Sequence, residues 1–237
     1  MRTVRADPPV ETGELDGLAW ARFGVARPDT PPPAAGVVLL HGADSRKESH
    51  FDFARACANG GLAVLAFDAR GHGASPDPLD GRAIDDVARM ADLLRERAGV
   101  AKVGLRGSSM GGYLALVAAA EARAAAVVAI CPASAVGLSA GVRGGRFGFA
   151  VDRDAVVALL KAHDETAAAR ALDVPLLLLH AEGDEVVGVE LSRALHEAAP
   201  ASKLVTTPGG HHRSIQHDAE LQGVAVRWLV RAMRAQT

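Results

Sequence analysis

The chain has 237 residues, 49% of them apolar and 23% charged, a composition that can build a substantial core and argues against disorder. A formal net charge of -2, with arginines scattered rather than clustered, gives no reason to expect a nucleic-acid partner or an anionic membrane surface. Cys57 and Cys131 form neither a disulfide framework nor a metal-ligand spacing, and no leader-like or bilayer-length apolar run stands in the sequence, so a soluble, cytoplasmic protein is expected.

Taken in order, Met1 to Val10 is polar, carries Pro8-Pro9 and reads as a frayed or edge segment. Glu11 to Val25 holds two short alternating pieces around Asp16-Gly17, a hairpin signal. Pro28 to Pro33 is a proline-rich bend, too short for an interdomain linker. From there strand, loop and helix alternate. Apolar runs predict strands at Val37 to His41, Leu62 to Phe67, Ala101 to Leu105, Ala125 to Ile130, Leu176 to His180 and Lys203 to Thr206. Helical patterns cover Lys47 to Asn59, Gly81 to Ala98, Tyr113 to Arg123, Val189 to Ala198 and Ser214 to Arg234. Cys57 falls within the first of these as a small core residue. Strands that are apolar on both faces and alternate with helices indicate an α/β fold, a mostly parallel central sheet covered on both sides.

One stretch breaks that rhythm. Pro132 to Asp173 carries a Gly/Arg-rich loop, Gly137 to Phe149, and a helical piece near Asp154 to Leu172. Its place between two strands suggests a short cap insertion at about 132–173 within a single domain spanning 1–237. A surface loop followed by an ordinary crossover helix is the plainer alternative.

The chemistry centres on Arg106-Gly107-Ser108-Ser109-Met110-Gly111-Gly112, between a strand and a helical run. A nucleophile elbow needs Gly-x-Ser-x-Gly, because the central residue sits on so sharp a turn that its neighbours two before and two after must be almost free of side chain. Centring on Ser109 puts Gly107 and Gly111 at the flanks. Centring on Ser108 would put Arg106 and Met110 there, which are too bulky. Ser109 is therefore the candidate nucleophile, placed at a helix start whose N–H groups favour negative charge.

An oxyanion needs two donors. His41-Gly42-Ala43-Asp44 follows the first long strand, and the Ala43 N–H is one candidate; the Met110 N–H, next to Ser109, is the other. His41 itself reads as structural. The acid is sought after a later strand, in His180-Ala181-Glu182-Gly183-Asp184-Glu185. The Gly183-Asp184 turn favours Asp184, with Glu182 and Glu185 as solvated loop charges. The base should follow the acid, in Pro208-Gly209-Gly210-His211-His212-Arg213, where both histidines are candidates. Of the others, His50, His163, His196 and His217 read as surface residues, His72 as a buttress of the site, and His180 as a satisfied core histidine.

These pieces resemble the α/β-hydrolases. The likeness is carried by Val37 to Gly42, by Asp68-Ala69-Arg70-Gly71-His72-Gly73-Ala74-Ser75, by Gly107 to Gly112, by Gly183-Asp184 and by Gly210-His211-His212. It runs from about Gly36 to the C-terminus in the family's order. Related sequences often read Gly-Gly-x-His-Arg before the last helix, which implies His212 as the base and leaves His211 in the variable slot. The resemblance implies Ser109 attacking an acyl carbonyl, His212 moving the proton, Asp184 orienting His212, and water releasing an acyl-enzyme. It implies no metal or organic cofactor. A carboxylic ester of a small molecule is the expected substrate, with thioesters or small amides beside it. A cofactor-free acyltransferase and a non-catalytic binding protein on the same fold are the alternatives, and monomer and homodimer both stay open.

Overall fold

The computed structural model of the protein describes residues 7–24 and 33–234. The chain begins with an antiparallel hairpin, β1 (Glu11–Leu15) and β2 (Leu18–Phe23), turning at Asp16 and Gly17 with positive φ at both. β3 (Ala35–Leu40) leads through a 3-10 turn (Lys47–His50) into α1 (Phe51–Asn59), followed by β4 (Ala63–Phe67) and α2 (Ala83–Ala98). β5 (Lys102–Ser108) turns directly into α3 (Met110–Val117), and β6 (Val127–Ile130) is followed by α4 (Ala135–Arg143), α5 (Arg153–Ala162) and α6 (Glu165–Ala171). β7 (Leu176–Ala181), α7 (Glu190–Ala198), β8 (Lys203–Thr207), α8 (Ser214–His217) and α9 (Ala219–Arg234) complete the order.

The strands form one eight-stranded sheet in the order β1-β2-β4-β3-β5-β6-β7-β8. β2 meets β4 antiparallel, and every pairing from β4 through β8 is parallel. The expected α/β class is the class observed. In a covered parallel sheet both alternating sets of side chains must be apolar. On β3, Val38 and Leu40 join a core with Met90 and Leu94 of α2 and Leu114 of α3, while Val37 and Leu39 join a second core with Phe53 of α1 and Leu229 of α9. Because β3, β5, β7 and β8 run the same way, the loops after them gather on one rim, where such sheets place their chemistry. Among the described residues, no helix is long and apolar enough to cross a membrane.

Several boundaries differ from expectation. The first part of the expected loop from Gly137 to Phe149 is helical: α4 is capped by Ser134, whose hydroxyl accepts from the Gly137 N–H at 3.0 Å. Glycine disfavours helix, yet a Cβ at Gly141 would stand 2.5 Å from the Phe147 ring, so tertiary packing decides here over propensity. The single helical piece near Asp154 to Leu172 is two helices, with Asp164 accepting from the Ala167 N–H and starting α6. Asp218 likewise accepts from Leu221 and divides α8 from α9. The helix after the elbow stops at Val117, and turns carry the chain on to Arg123. The proline-rich bend, apart from Pro33, and the first six residues of the N-terminal segment lie outside the described residues.

Candidate active site

Ser109 stands between β5 and α3 with φ 54° and ψ −117°, a conformation L-residues adopt only under constraint. Two close approaches create that constraint. A Cβ on Gly107 would lie 1.9 Å from the Gly111 carbonyl oxygen, and one on Gly111 would lie 2.3 Å from the Leu40 carbonyl oxygen. The elbow thus folds in the register centred on Ser109. Its neighbour Ser108 is buried, and its Oγ donates to Gln216 Oε1 at 2.8 Å. Ser109 is only partly buried and lines a cavity of about 760 Å³, together with Gly42, Ala43, His72 and His212.

Asp184 and His212 come together because their loops pack backbone to backbone. The Gly183 N–H donates to the Gly209 carbonyl at 3.0 Å, and a Cβ on Gly183 would sit 2.5 Å from the Gly210 oxygen. His212 Nδ1 then lies 2.7 Å from Asp184 Oδ2. The other oxygen, Oδ1, accepts from the N–H groups of Val186 and Val187, each at 2.9 Å. Burial alone would raise the Asp184 carboxyl, but the Val187 N–H, the His212 ring and the Val186 N–H together outweigh it and hold it below the usual carboxylate range. An ionised Asp184 takes the proton-bearing Nδ1 of His212 and leaves Nε2 as the basic nitrogen. His211 is exposed, Glu182 accepts from Thr206 Oγ1 at 3.0 Å, and Glu185 lies exposed at the cavity's edge.

Gly42 brings the loop after β3 against the elbow: a Cβ there would stand 3.3 Å from Ser109 Cβ. Ala43 follows it, and Met110 opens α3, where an N–H has no acceptor within its own helix. His41 anchors this loop. Its Nδ1–H donates to the Gly42 carbonyl at 2.8 Å and its Nε2 accepts from the Ala69 N–H at 3.0 Å. Burial, with His72 nearby, lowers His41 to about 4, consistent with a neutral ring serving as both donor and acceptor.

The Asp68–Ser75 stretch is structural support. Asp68 accepts from Lys47 Nζ and the Lys47 N–H, both at 2.7 Å, and from the Ala74 N–H at 2.8 Å. Arg70, buried, grips Asp86 on α2 through two bonds of 2.8 and 2.9 Å. His72 donates from Nδ1 to the Arg70 carbonyl at 2.9 Å and lies against Phe149, ring centroids 4.1 Å apart, while Phe149 stacks on Phe147 at 5.3 Å. The chain carrying these two rings is fastened to the loop after β3, since the Gly148 N–H donates to Asp44 Oδ1 at 2.7 Å.

Two features went unread in the sequence. His50, expected on the surface, is buried, and its Nδ1 accepts from Arg106 Nη1 at 2.8 Å. Arg106 is itself fully buried with the Phe53 ring 4.6 Å away, and burial lowers it to about 10. Nothing in the letters of a surface-like Lys-Glu-Ser-His run announces a buried arginine 56 residues away. Cys131, the first residue past β6, has φ 41° and its ligand atom lies within 4.8 Å of those of Asp184 and His212. Its position just past a strand end on the rim was the available signal. These three offer a metal-ligand spacing, but burial pushes the Cys131 thiol up to about 12 and Asp184 is already bonded to His212, so the set is a poor fit for a cation. His217 is exposed, as expected, with Nδ1 3.1 Å from Asp52 Oδ2, while His196, expected on the surface too, is partly buried beside Ser202 Oγ at 2.7 Å. His180 is the satisfied core histidine expected, held by Ser192 Oγ and the Val187 carbonyl.

The sheet order, the elbow and the rim define the α/β-hydrolase fold. Residues 31–149 match the family model described as Serine aminopeptidase, S33, and residues 157–232 match that described as TAP-like protein. The chain belongs to the first of these families and, with it, to the α/β-hydrolase superfamily. It is 32% identical over 128 residues to 2,6-dihydropseudooxynicotine hydrolase of Paenarthrobacter nicotinovorans, a match covering 51% of this chain and 35% of that protein. The fold is similar to that of Est1E from Butyrivibrio proteoclasticus, solved with ferulic acid (TM-score 0.74, 22% identity, 95% of this chain and 100% of that one). It is also similar to the monoacylglycerol lipase of Paleococcus ferrophilus (TM-score 0.70, 23% identity, 91% and 99%).

Proposed function

We propose that this α/β hydrolase cleaves carboxylic esters through an acyl-enzyme on Ser109. His212 Nε2 takes the Ser109 proton as Oγ attacks the carbonyl carbon, and returns it to the departing alcohol oxygen. Asp184 holds the ring in the tautomer that leaves Nε2 basic and stabilises the imidazolium that forms. The N–H groups of Ala43 and Met110 receive the negative charge on the carbonyl oxygen. Water, deprotonated by His212 Nε2, then attacks the acyl carbon; the bond to Ser109 Oγ breaks, His212 returns the proton to that oxygen, and the free acid leaves.

One observation carries this reading: the 2.7 Å His212–Asp184 pair opens onto the same cavity as Ser109 in its strained elbow. A panel of p-nitrophenyl esters, with thioesters and small amides beside it, tests the reading against a Ser109→Ala control. Turnover by the intact enzyme that Ser109→Ala abolishes is expected; turnover that survives the substitution refutes it. The family description names an aminopeptidase, which is why amides belong in the panel.

Acyl transfer is the second reading. A cavity of about 760 Å³ leaves space for more than an attacking water. Adding short alcohols during ester turnover and analysing the products separates the two, since a transferase makes a new ester in preference to free acid.

A further inference from the structure

Behind the catalytic cavity lies a second, narrow cavity between α3, α4 and α5. Its walls include Tyr113 and Leu114 of α3, Leu138 and Val142 of α4, and Val156 and Leu160 of α5. The two polar groups at this wall are engaged elsewhere: the Tyr113 hydroxyl donates to the His163 carbonyl at 2.7 Å, and the Asp80 carboxylate is bonded to Arg82. Phe147 and Phe149 line both cavities, so they form the partition between them. Met110, immediately after Ser109, also lines the inner cavity.

The orientation of an ester follows from where its proton must go. The leaving oxygen must stand beside His212 to be protonated, so the acyl chain extends to the other side of the reacting carbonyl. The His212 loop, His211 to Arg213, lines the outer cavity and is absent from the walls of the inner one. The outer cavity therefore receives the leaving group, and the inner one lies on the acyl side. Space in it is about 20 Å³, on the order of one water molecule. Its space matches a methyl group and no long chain, and an acyl chain from Ser109 enters it only where the Phe147 ring gives way. That ring is pinned, with Phe149 stacked on it and Gly141 of α4 approaching so closely that an added Cβ would lie 2.5 Å away.

We infer that the acyl chain runs from Ser109 toward this cavity, that Phe147 closes the cavity off and is the length-determining residue, and that the enzyme selects short acyl groups. The inference rests on the proposed ester hydrolysis at Ser109. Removing the Phe147 ring joins the two cavities and lets a longer chain lie along α4 and α5.

The experiment measures kcat/KM for p-nitrophenyl acetate, butyrate, octanoate and decanoate with the intact enzyme, Phe147→Ala, the milder Phe147→Leu, and Ser109→Ala. Thermal midpoints are read beside them, and Phe147→Leu serves if the alanine variant fails to fold. The intact enzyme is expected to favour acetate or butyrate over octanoate by at least about tenfold, and the octanoate-to-acetate ratio should rise at least about tenfold in Phe147→Ala, less in Phe147→Leu. A native preference for octanoate overturns the inference, as does a ratio that neither Phe147 variant changes in an enzyme still dependent on Ser109. No turnover of any ester, or turnover that survives Ser109→Ala, overturns the hydrolase reading and the pocket with it.

Discussion

Ser108 and Gln216, 108 positions apart in the chain, are joined by a hydrogen bond of 2.8 Å from the serine Oγ to the amide oxygen. The bond ties the end of β5 to α8, the turn of helix that follows the His212 loop. It also occupies the one hydroxyl that competes with Ser109 for the nucleophile's role. Ser109→Ala should abolish ester turnover and leave the fold intact. Ser108→Ala should keep substantial turnover and lose about 1 kcal/mol of stability, because it strips a buried partner from Gln216. Fluorophosphonate labelling followed by peptide mapping checks the assignment, and a stable adduct on Ser108 would reverse it.

Asp184 spends one oxygen on two backbone N–H groups and the other on His212. Asp184→Asn presents an amide where a carboxylate held the Nδ1–H tautomer. A loss in kcat of orders of magnitude is expected, on the scale of about 10⁴ for the equivalent change in an unrelated triad enzyme. Glu182→Gln and Glu185→Gln should cost far less, since both carboxylates are exposed. If Glu182→Gln proved the more damaging, Asp184 would not be the acid.

The paired histidines separate in the same way. His212 is bonded to Asp184, while His211 is exposed and its N–H bonds to Ser214 Oγ at 2.9 Å. His212→Ala should remove nearly all turnover. His211→Ala should cost about tenfold or less in kcat/KM, roughly 1.4 kcal/mol in the barrier. An inactive His211→Ala beside an active His212→Ala would exchange their roles.

Acid should destabilise the protein before the carboxylates titrate. Burial lowers His41, His50, His72 and His180 below the ordinary histidine value, His41 to about 4. Between 6.5 and those lowered values the unfolded chain binds protons that the folded one does not, so unfolding takes up protons and stability falls as pH falls. Each such ring contributes at most about 1.4 kcal/mol per pH unit. The depressed Asp184 adds to the loss at lower pH, as its stabilising share, present above the unfolded carboxylate value, disappears as pH drops through its folded value; Asp86, raised by burial, works the other way. Urea midpoints at pH 7.5, 6 and 5 should decline in order, and a flat or rising series would show that these rings are not held neutral.

How legible all this was depended on whether the deciding force is local. The elbow register could be read because the turn itself needs a bare residue on each side of Ser109, and the local collision is there between Gly107 and Gly111, although Gly111 is also held bare by the distant Leu40 carbonyl. The parallel strands could be read because burial on both faces leaves continuous apolar runs. Asp184 and the His211–His212 pair could be located by chain order, although choosing His212 needed the family likeness. What escaped was set by distant contacts. α4 forms across a glycine-rich stretch because Phe147 packs on Gly141, and His50 is buried because Arg106 reaches it across the core. Cys131 stood beside Asp184 unnoticed, since its place past a strand end was the sole signal and its neighbour lies far on in the chain.

The bond from Gly148 to Asp44 has an unequal exposure to mutation. On one side the donor is a backbone N–H, which every residue except proline supplies. On the other it is a side-chain oxygen, carried by a residue at φ 54° that must also tolerate a left-handed backbone. Asparagine meets both conditions and few other residues do. Over generations, then, position 148 is free to change its side chain without loosening the segment that bears Phe147 and Phe149. The point where it is moored to the rim is not.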